Sequence, residues 1–273
     1  MIPHAKILAA TDLGPAGDEA IQTADAWCKR LEGSLAVVHA RPEQPVDPMA
    51  PQARDEVAEA EAERRVRAEV EQRVQALTGR APHEFTVSVG SGRAADVTLQ
   101  VAEDLGVDLL VLGGRDSGET RWVFGSVAEG IVMRAKVPVL VARPHQGAGP
   151  VVAATDFSES SLPAVRAGHA LSRMLGVKVT LVHCMPKGTR EDQVEAERAR
   201  LQSICDLSPE DDDQRILLGP PAESLVSLVE ELDAALLIVA SSGKTGMQRF
   251  MLGSVAERLV RSAPCSVLVV RLR

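Results

Sequence analysis

The chain repeats itself, and the repeat constrains its fold more than any other feature. Ala9-Ala10-Thr11-Asp12 returns as Ala153-Ala154-Thr155-Asp156, and Val37-Val38-His39 returns as Leu181-Val182-His183, both offset by 144 positions. Further on, Gly125-Ser126-Val127-Ala128-Glu129 matches Gly253-Ser254-Val255-Ala256-Glu257, and Val139-Leu140-Val141 matches Val267-Leu268-Val269, both offset by 128. The offset changes between His39 and Ala94, so the first copy carries 16 extra residues there. A period this long means two copies of one folding unit. Pro144 to Pro150 is rich in Gly and Pro and reads as the linker, which sets the units at 1–144 and 150–273.

Each copy alternates short apolar runs with helical patterns. In the first copy the runs are Lys6–Ala10, Leu35–Ala40, Phe85–Val89, Leu109–Leu112 and Val137–Ala142. Residues that are apolar on consecutive positions suit parallel strands buried on both faces. Helices are expected over Gly17–Leu31, Gln52–Leu77, Arg93–Leu105 and Ser126–Arg134. The second is heavily charged, with Val57, Val66, Val70, Val74 and Leu77 as an apolar stripe for a sheet; a coiled coil is the rival reading. The second copy repeats the order, with strands near 151–155, 177–182, 215–218, 235–240 and 266–270. Each half is therefore a doubly wound α/β unit on a parallel sheet.

Composition narrows the function. A net charge of −8 argues against a nucleic-acid partner, which needs a basic face. No apolar run is long enough to span a membrane, and Met1 to Ala10 lacks a cleavage pattern, so a cytoplasmic protein is expected. Cys28, Cys184, Cys205 and Cys265 form no CxxC pair, which predicts buried thiols in a reducing compartment. With four Phe, two Trp and no Tyr, the cores must be aliphatic and there are few rings for a base to stack on.

Open α/β sheets bind ligands at the carboxyl ends of their strands. After strand 1 stand Thr11-Asp12-Leu13-Gly14 and Thr155-Asp156-Phe157-Ser158. After strand 4 stand Gly113-Gly114-Arg115-Asp116-Ser117-Gly118 and Ser241-Ser242-Gly243-Lys244-Thr245-Gly246. Glycines let backbone N–H groups close on an anion, and a Gly-Ser at a helix start adds donors and the positive dipole end. Gly243, Lys244 and Gly246 followed by Gly253-Ser254 thus form a plausible phosphate cradle; an ordinary β–α loop is the plainer alternative. It is neither a Walker loop, because Ile238 stands where that motif needs glycine, nor GxGxxG. Asp12 and Asp156 are read either as acceptors for a nucleoside or as helix caps and partners of their own loops.

The stretch Val239 to Arg258, then Ala263-Pro264-Cys265-Ser266-Val267-Leu268-Val269-Val270, resembles the carboxyl end of a universal stress protein domain. Val152 to Ser158 and Leu181-Val182-His183 resemble the same family, and both halves of the chain carry the likeness. The resemblance implies two tandem five-stranded parallel sheets, strand order 3-2-1-4-5, of the adenine-nucleotide alpha-hydrolase type. It implies also that some members bind ATP through Gly-x2-Gly-x9-Gly-Ser/Thr after strand 4 and an Asp after strand 1. The second copy reads Ala240-x2-Gly243-x9-Gly253-Ser254. In the first copy, counting back from Gly125-Ser126 puts Leu112 and Arg115 at the earlier glycine positions, unless one residue is deleted near Gly113 and Gly114.

Carried over, the resemblance assigns Thr155, Asp156 and Phe157 to the nucleoside end, with Val182 to Cys184 lining the base pocket. It assigns Ala240, Gly243, Lys244, Gly246, Gly253, Ser254 and Val255 to the phosphates, with a divalent cation such as Mg²⁺ bridging them. Asp12, Gly114, Gly125 and Ser126 are the weaker set in the first copy. His39, His83, His145, His169 and His183 are candidate bases, yet none has triad or metal spacing. His39 and His183 recur at one position, which points to packing and a backbone hydrogen bond. The expectation is a stress-response protein that binds ATP in its second copy; a slow ATPase and an interaction module without nucleotide are the alternatives. The apolar runs Val137–Ala142 and Val267–Val270 are the natural edges to pair, giving an internal pseudo-dimer; association of two chains stays open.

Overall fold

The computed structural model describes residues 4–42, 52–116, 122–123, 125–144, 147–204, 212–242 and 252–271. Its elements follow the anticipated alternation. The first copy contains β1 (Lys6–Thr11), α1 (Pro15–Leu31), β2 (Ser34–Arg41), α2 (Gln52–Thr78), β3 (Phe85–Ser91), α3 (Ala94–Leu105) and β4 (Leu109–Gly113). Two short strands, β5 (Arg115–Asp116) and β6 (Trp122–Val123), pair with each other before α4 (Ser126–Arg134) and β7 (Val139–Ala142). The second copy contains β8 (Val151–Ala154), α5 (Leu162–Leu175), β9 (Val179–Met185), α6 (Glu191–Ser203), β10 (Asp212–Leu218), α7 (Pro221–Glu231), β11 (Leu236–Ala240), α8 (Ser254–Ser262) and β12 (Val267–Val270).

The chain packs as two compact bodies, one of Ile2–Arg115 with Gly125–Ile131, the other of Asp116–Phe124 with Val132–Arg273. In the first, the strands lie in the order β4-β1-β2-β3, all parallel. In the second, β10-β9-β8-β11-β12 run parallel, which is the order 3-2-1-4-5. β7 joins that second sheet, antiparallel to β12, with Val139 opposite Val269 and Val141 opposite Val267. The two runs expected to pair therefore do so. The chain runs from β8 outward to β9 and β10, then returns to β11 and β12 on the other side of β8, and the right-handed rule for such crossovers puts helices on both faces.

The core is aliphatic throughout. Ile7, Leu8, Leu109, Leu110, Leu171, Leu181, Leu237 and Val267 are fully buried. The linker is less slack than its composition implies. Gly149 donates its N–H to the carbonyl of Asp233 at 2.8 Å, and Ala235 donates to that of Pro150 at 3.1 Å. A Cβ at Gly147 would lie 2.1 Å from the Asp233 carbonyl, so glycine is required for that approach. The extra residues of the first copy fall in and around α2, 27 residues long against 13 for α6. Its stripe is buried at Val70 and Val74 but Val57 is exposed, so the apolar seam is shorter than the sequence pattern. Arg73 ties α2 to Asp18 of α1 through two bonds of 2.6 and 2.7 Å.

Candidate functional site

β8 and β11 are neighbours whose crossovers depart in opposite directions, and a cavity of about 240 Å³ opens at their carboxyl ends. This is the switch point at which doubly wound sheets bind ligands. Its walls come from Thr155 and Asp156 after β8, Val182 to Cys184 on β9, Val239 and Ala240 on β11, and Gly253 to Ala256 at the start of α8. Pro221 and Leu225 of α7 close one side. The sequence reading missed these two, although a Gly219-Pro220-Pro221 turn at a strand's carboxyl end marks such a position.

The loop after β8 is held by its own side chains. Thr155 donates its N–H to Val182 at 2.9 Å, so β8 stays locked to β9 where the strand ends. The Thr155 hydroxyl pairs with that of Ser161 at 2.8 Å and accepts the Phe157 N–H at 3.0 Å. Asp156 accepts the Ser158 N–H at 3.0 Å and its hydroxyl at 2.5 Å, both on Oδ1. The N-cap of α5 is Ser161 and that of α1 is Gly14, so neither aspartate caps its helix. Each instead orders its own loop; Asp12 accepts the Gly14 N–H at 2.9 Å.

His183 donates Nδ1–H to the Thr155 carbonyl at 2.8 Å, and His39 makes the same bond to Thr11 at 2.9 Å. The repeated histidines are structural, as their position implied. Phe157 has a φ of 61°, which turns its ring onto His183, with ring centres 4.3 Å apart. Thr155, Asp156, Val182, Ala240, Gly253, Ser254 and Val255 are thus brought together around the cavity, whereas Phe157 backs onto it through His183.

At the other wall, Ser241 donates to Val270 at 2.8 Å, and Gly253 donates to Ser241 at 2.7 Å. These bonds bring the start of α8 to the end of β11. The first intrahelical bond runs from Glu257 to Gly253, at 2.9 Å. The N–H groups of Ser254, Val255 and Ala256 therefore have no partner within the helix, and all three residues line the cavity. Such a terminus, with its positive dipole end, favours an anion. Gly243, Lys244 and Gly246 lie outside the described residues, as do Gly118 and His145.

The first copy differs at this point. β4 pairs with β1 as β11 pairs with β8, with Leu109 opposite Ile7 and Leu236 opposite Val151. That register sets Gly113 at the place of Ala240, and Asp116 at that of Gly243. Counting without a gap had put Leu112 and Arg115 there; the deletion of one residue is the correct alignment. A Cβ on Gly113 would stand 1.7 Å from the Ala16 carbonyl oxygen, so α1 itself presses on the end of β4. Asp12, Gly125 and Ser126 are exposed, and Gly114 is buried.

Cys184 lines the cavity, and burial pushes its thiol up to about 11. At pH 8 about one part in a thousand is thiolate, the reactive form. Alkylation of Cys184 by iodoacetamide, followed by peptide mass spectrometry, should rise about tenfold from pH 8 to pH 9. A rate that is flat across that range contradicts the assigned burial. Among the described residues, no group of His, Cys, Asp and Glu could hold a metal ion, and no helix is long and apolar enough to cross a membrane.

Comparison with known proteins agrees with this architecture. A universal stress protein from Methanocaldococcus jannaschii is 46% identical over 56 residues, 20% of this chain and 33% of the relative, so the match spans about a third of that relative's length. The crystal structure of a universal stress protein from Archaeoglobus fulgidus superposes with a TM-score of 0.75 at 19% identity, covering 97% of this chain and 98% of that one. A protein of unknown function from Pseudomonas aeruginosa PAO1 gives 0.66 at 16% identity, covering 97% and 92%. The family model for universal stress proteins matches twice, over residues 4–143 and 148–271. Two successive matches over two copies of one doubly wound unit leave a single assignment: the chain belongs to the universal stress protein family.

Proposed function

We propose that the second copy binds an adenine nucleotide, ATP, and that the protein is a cytoplasmic regulator read through its occupancy. The observation that carries this reading is the convergence at one cavity of Asp156, the carboxyl end of β9 at Val182 to Cys184, and the open N-terminus of α8. Asp156 and the backbone of β9 beyond the end of β8, at His183 and Cys184, supply acceptors and donors for a nucleoside. The N–H groups of Ser254 to Ala256 receive the phosphates, with Gly243, Lys244 and Gly246 in the connecting loop. The base lies between aliphatic walls, Val182, Leu225 and Val255, and among the described residues no Phe or Trp lines the cavity. An anion site made of backbone groups also suits a chain of net charge −8.

Asp156 is the sole carboxylate on the described cavity wall. A divalent cation would thus be held by the nucleotide's own phosphate oxygens, and ATP would bind as its Mg²⁺ complex. The functional units are the two sequence copies, 1–144 and 150–273. In the first, the backbone of Ala16 fills the space that opens beside Ala240 in the second. That copy is proposed to hold no nucleotide and to serve as scaffold.

Isothermal titration of the purified chain with ATP, ADP, AMP and GTP tests the reading. Saturable heat is expected from the adenine nucleotides and tighter binding from ATP than from AMP. Absence of saturable heat with all three adenine nucleotides, in protein freed of co-purified ligand, overturns it. Ala240, which stands where nucleotide-binding relatives carry glycine, favours the competing reading of an interaction module with an empty cavity, and that result would support it.

A further inference from the structure

The strand-1 loop of the second copy is held from outside as well as from within. Phe157, next to Asp156, packs its ring on His183, whose own ring is fixed to the Thr155 carbonyl. The guanidinium of Arg200, from α6, lies over the same Phe157 ring, with Cζ 4.4 Å from its centre. Glu197, one turn earlier on α6, stands 3.6 Å from the Arg200 guanidinium and steadies it. α6 is otherwise a polar helix whose described core contribution is Leu201. The first copy has Leu13 at the matching position with nearly the same backbone, φ 62° against 61°, so no ring is needed for the turn itself. The aromatic residue, one of four Phe in the chain, is therefore a feature of the second loop alone among the two.

We infer that Phe157 and Arg200 are positioning residues: by stacking, they make α6 a clamp that holds the Thr155–Asp156 loop in its binding geometry. Neither side chain has to touch the ligand. A guanidinium on a ring, together with ring-on-ring packing, favours one loop position over the open ones. Nucleotide affinity then depends on α6, which lies behind the loop. The inference rests on the proposed nucleotide site for its consequence and on the loop itself for its mechanism, and the two are separable by experiment.

The first arm uses hydrogen exchange in ligand-free protein. The amides of Phe157 and Ser158, bonded to Thr155 Oγ1 and Asp156 Oδ1, report opening of the loop. Arg200→Ala and Phe157→Leu should speed their exchange several-fold, and Phe157→Tyr should restore protection. Arg200 sits half-exposed on its helix, so its removal leaves the core intact. The second arm measures ATP affinity, expected to fall about twofold to fivefold in both variants and to recover in Phe157→Tyr. Unchanged exchange in Arg200→Ala overturns the inference, because a direct contact of Arg200 with phosphate would weaken binding without loosening the empty loop. Absence of ATP binding by the wild type sinks the site assignment instead, and the exchange arm then decides the clamp alone.

Discussion

Replacing Gly253 with Asp is expected to weaken ATP binding by a hundredfold or more while leaving the protein as stable as before. Gly253 is the N-cap of α8, with φ −62° and ψ 143°, an extended conformation that any residue adopts. Aspartate is among the preferred N-cap residues, because its carboxylate accepts the free N–H groups of the first turn. The substitution thus satisfies the helix and, by the same bonds, occupies the donors assigned to the phosphates. It also brings a negative charge against them. A unit charge at about 4 Å from another is worth ~4 kcal/mol near a protein surface, and screening at the cavity mouth leaves roughly 3, or about a hundredfold. Thermal melting and calorimetry on the same sample read both halves. An unchanged affinity removes the start of α8 from the site.

Replacing Gly113 with Ala should destabilise the protein by about 2–3 kcal/mol, because the added methyl overlaps backbone and not a movable side chain. The three nearest atoms are the Ala16 carbonyl oxygen at 1.7 Å, its carbon at 2.4 Å and the Ala16 Cα at 2.9 Å. Relief requires the first turn of α1 to move off β4. A loss of this size lowers the melting temperature by about 4–12 °C in a chain of this class. The reciprocal change, Ala240→Gly, should cost under about 1 kcal/mol, the ordinary price of glycine in a strand. Equal effects at both positions would contradict the asymmetry between the copies. The contrast begins in the sequence: Gly14-Pro15-Ala16-Gly17 lets α1 start at Pro15, close to β1. Ser158-Glu159-Ser160-Ser161 delays α5 to Leu162 and leaves room at Ala240. At Gly113 the glycine admits the protein's own chain, the opposite of the use that a glycine after strand 4 suggests.

Much of this was legible in the residues. The repeat gave two copies, consecutive apolar residues gave buried parallel strands, and the recurrence of His39 and His183 gave a structural bond. Each is a local pattern or a comparison of the chain with itself. What escaped depends on three dimensions. The alignment of Gly113 with Ala240 is a matter of strand register, invisible to counting across a loop that has lost a residue. Pro221 and Leu225 reach the cavity only because β10 lies two strands from β8. The resemblance assigns Phe157 to the nucleoside end, whereas its ring packs on His183 and does not line the cavity. Val57 continues the stripe of α2 in the sequence, yet it is exposed, and Glu59 beside it pairs with Arg41 of β2.

The central claim is one nucleotide per chain, in the second copy, and its most direct test is native mass spectrometry of the intact chain with ATP. With ATP at about ten times the wild-type Kd, the account predicts a single added ATP in the wild type and in Gly125→Asp, and about a tenth of that occupancy or less in Gly253→Asp. Two bound nucleotides in the wild type, or a loss caused by Gly125→Asp with Gly253→Asp unaffected, would contradict it.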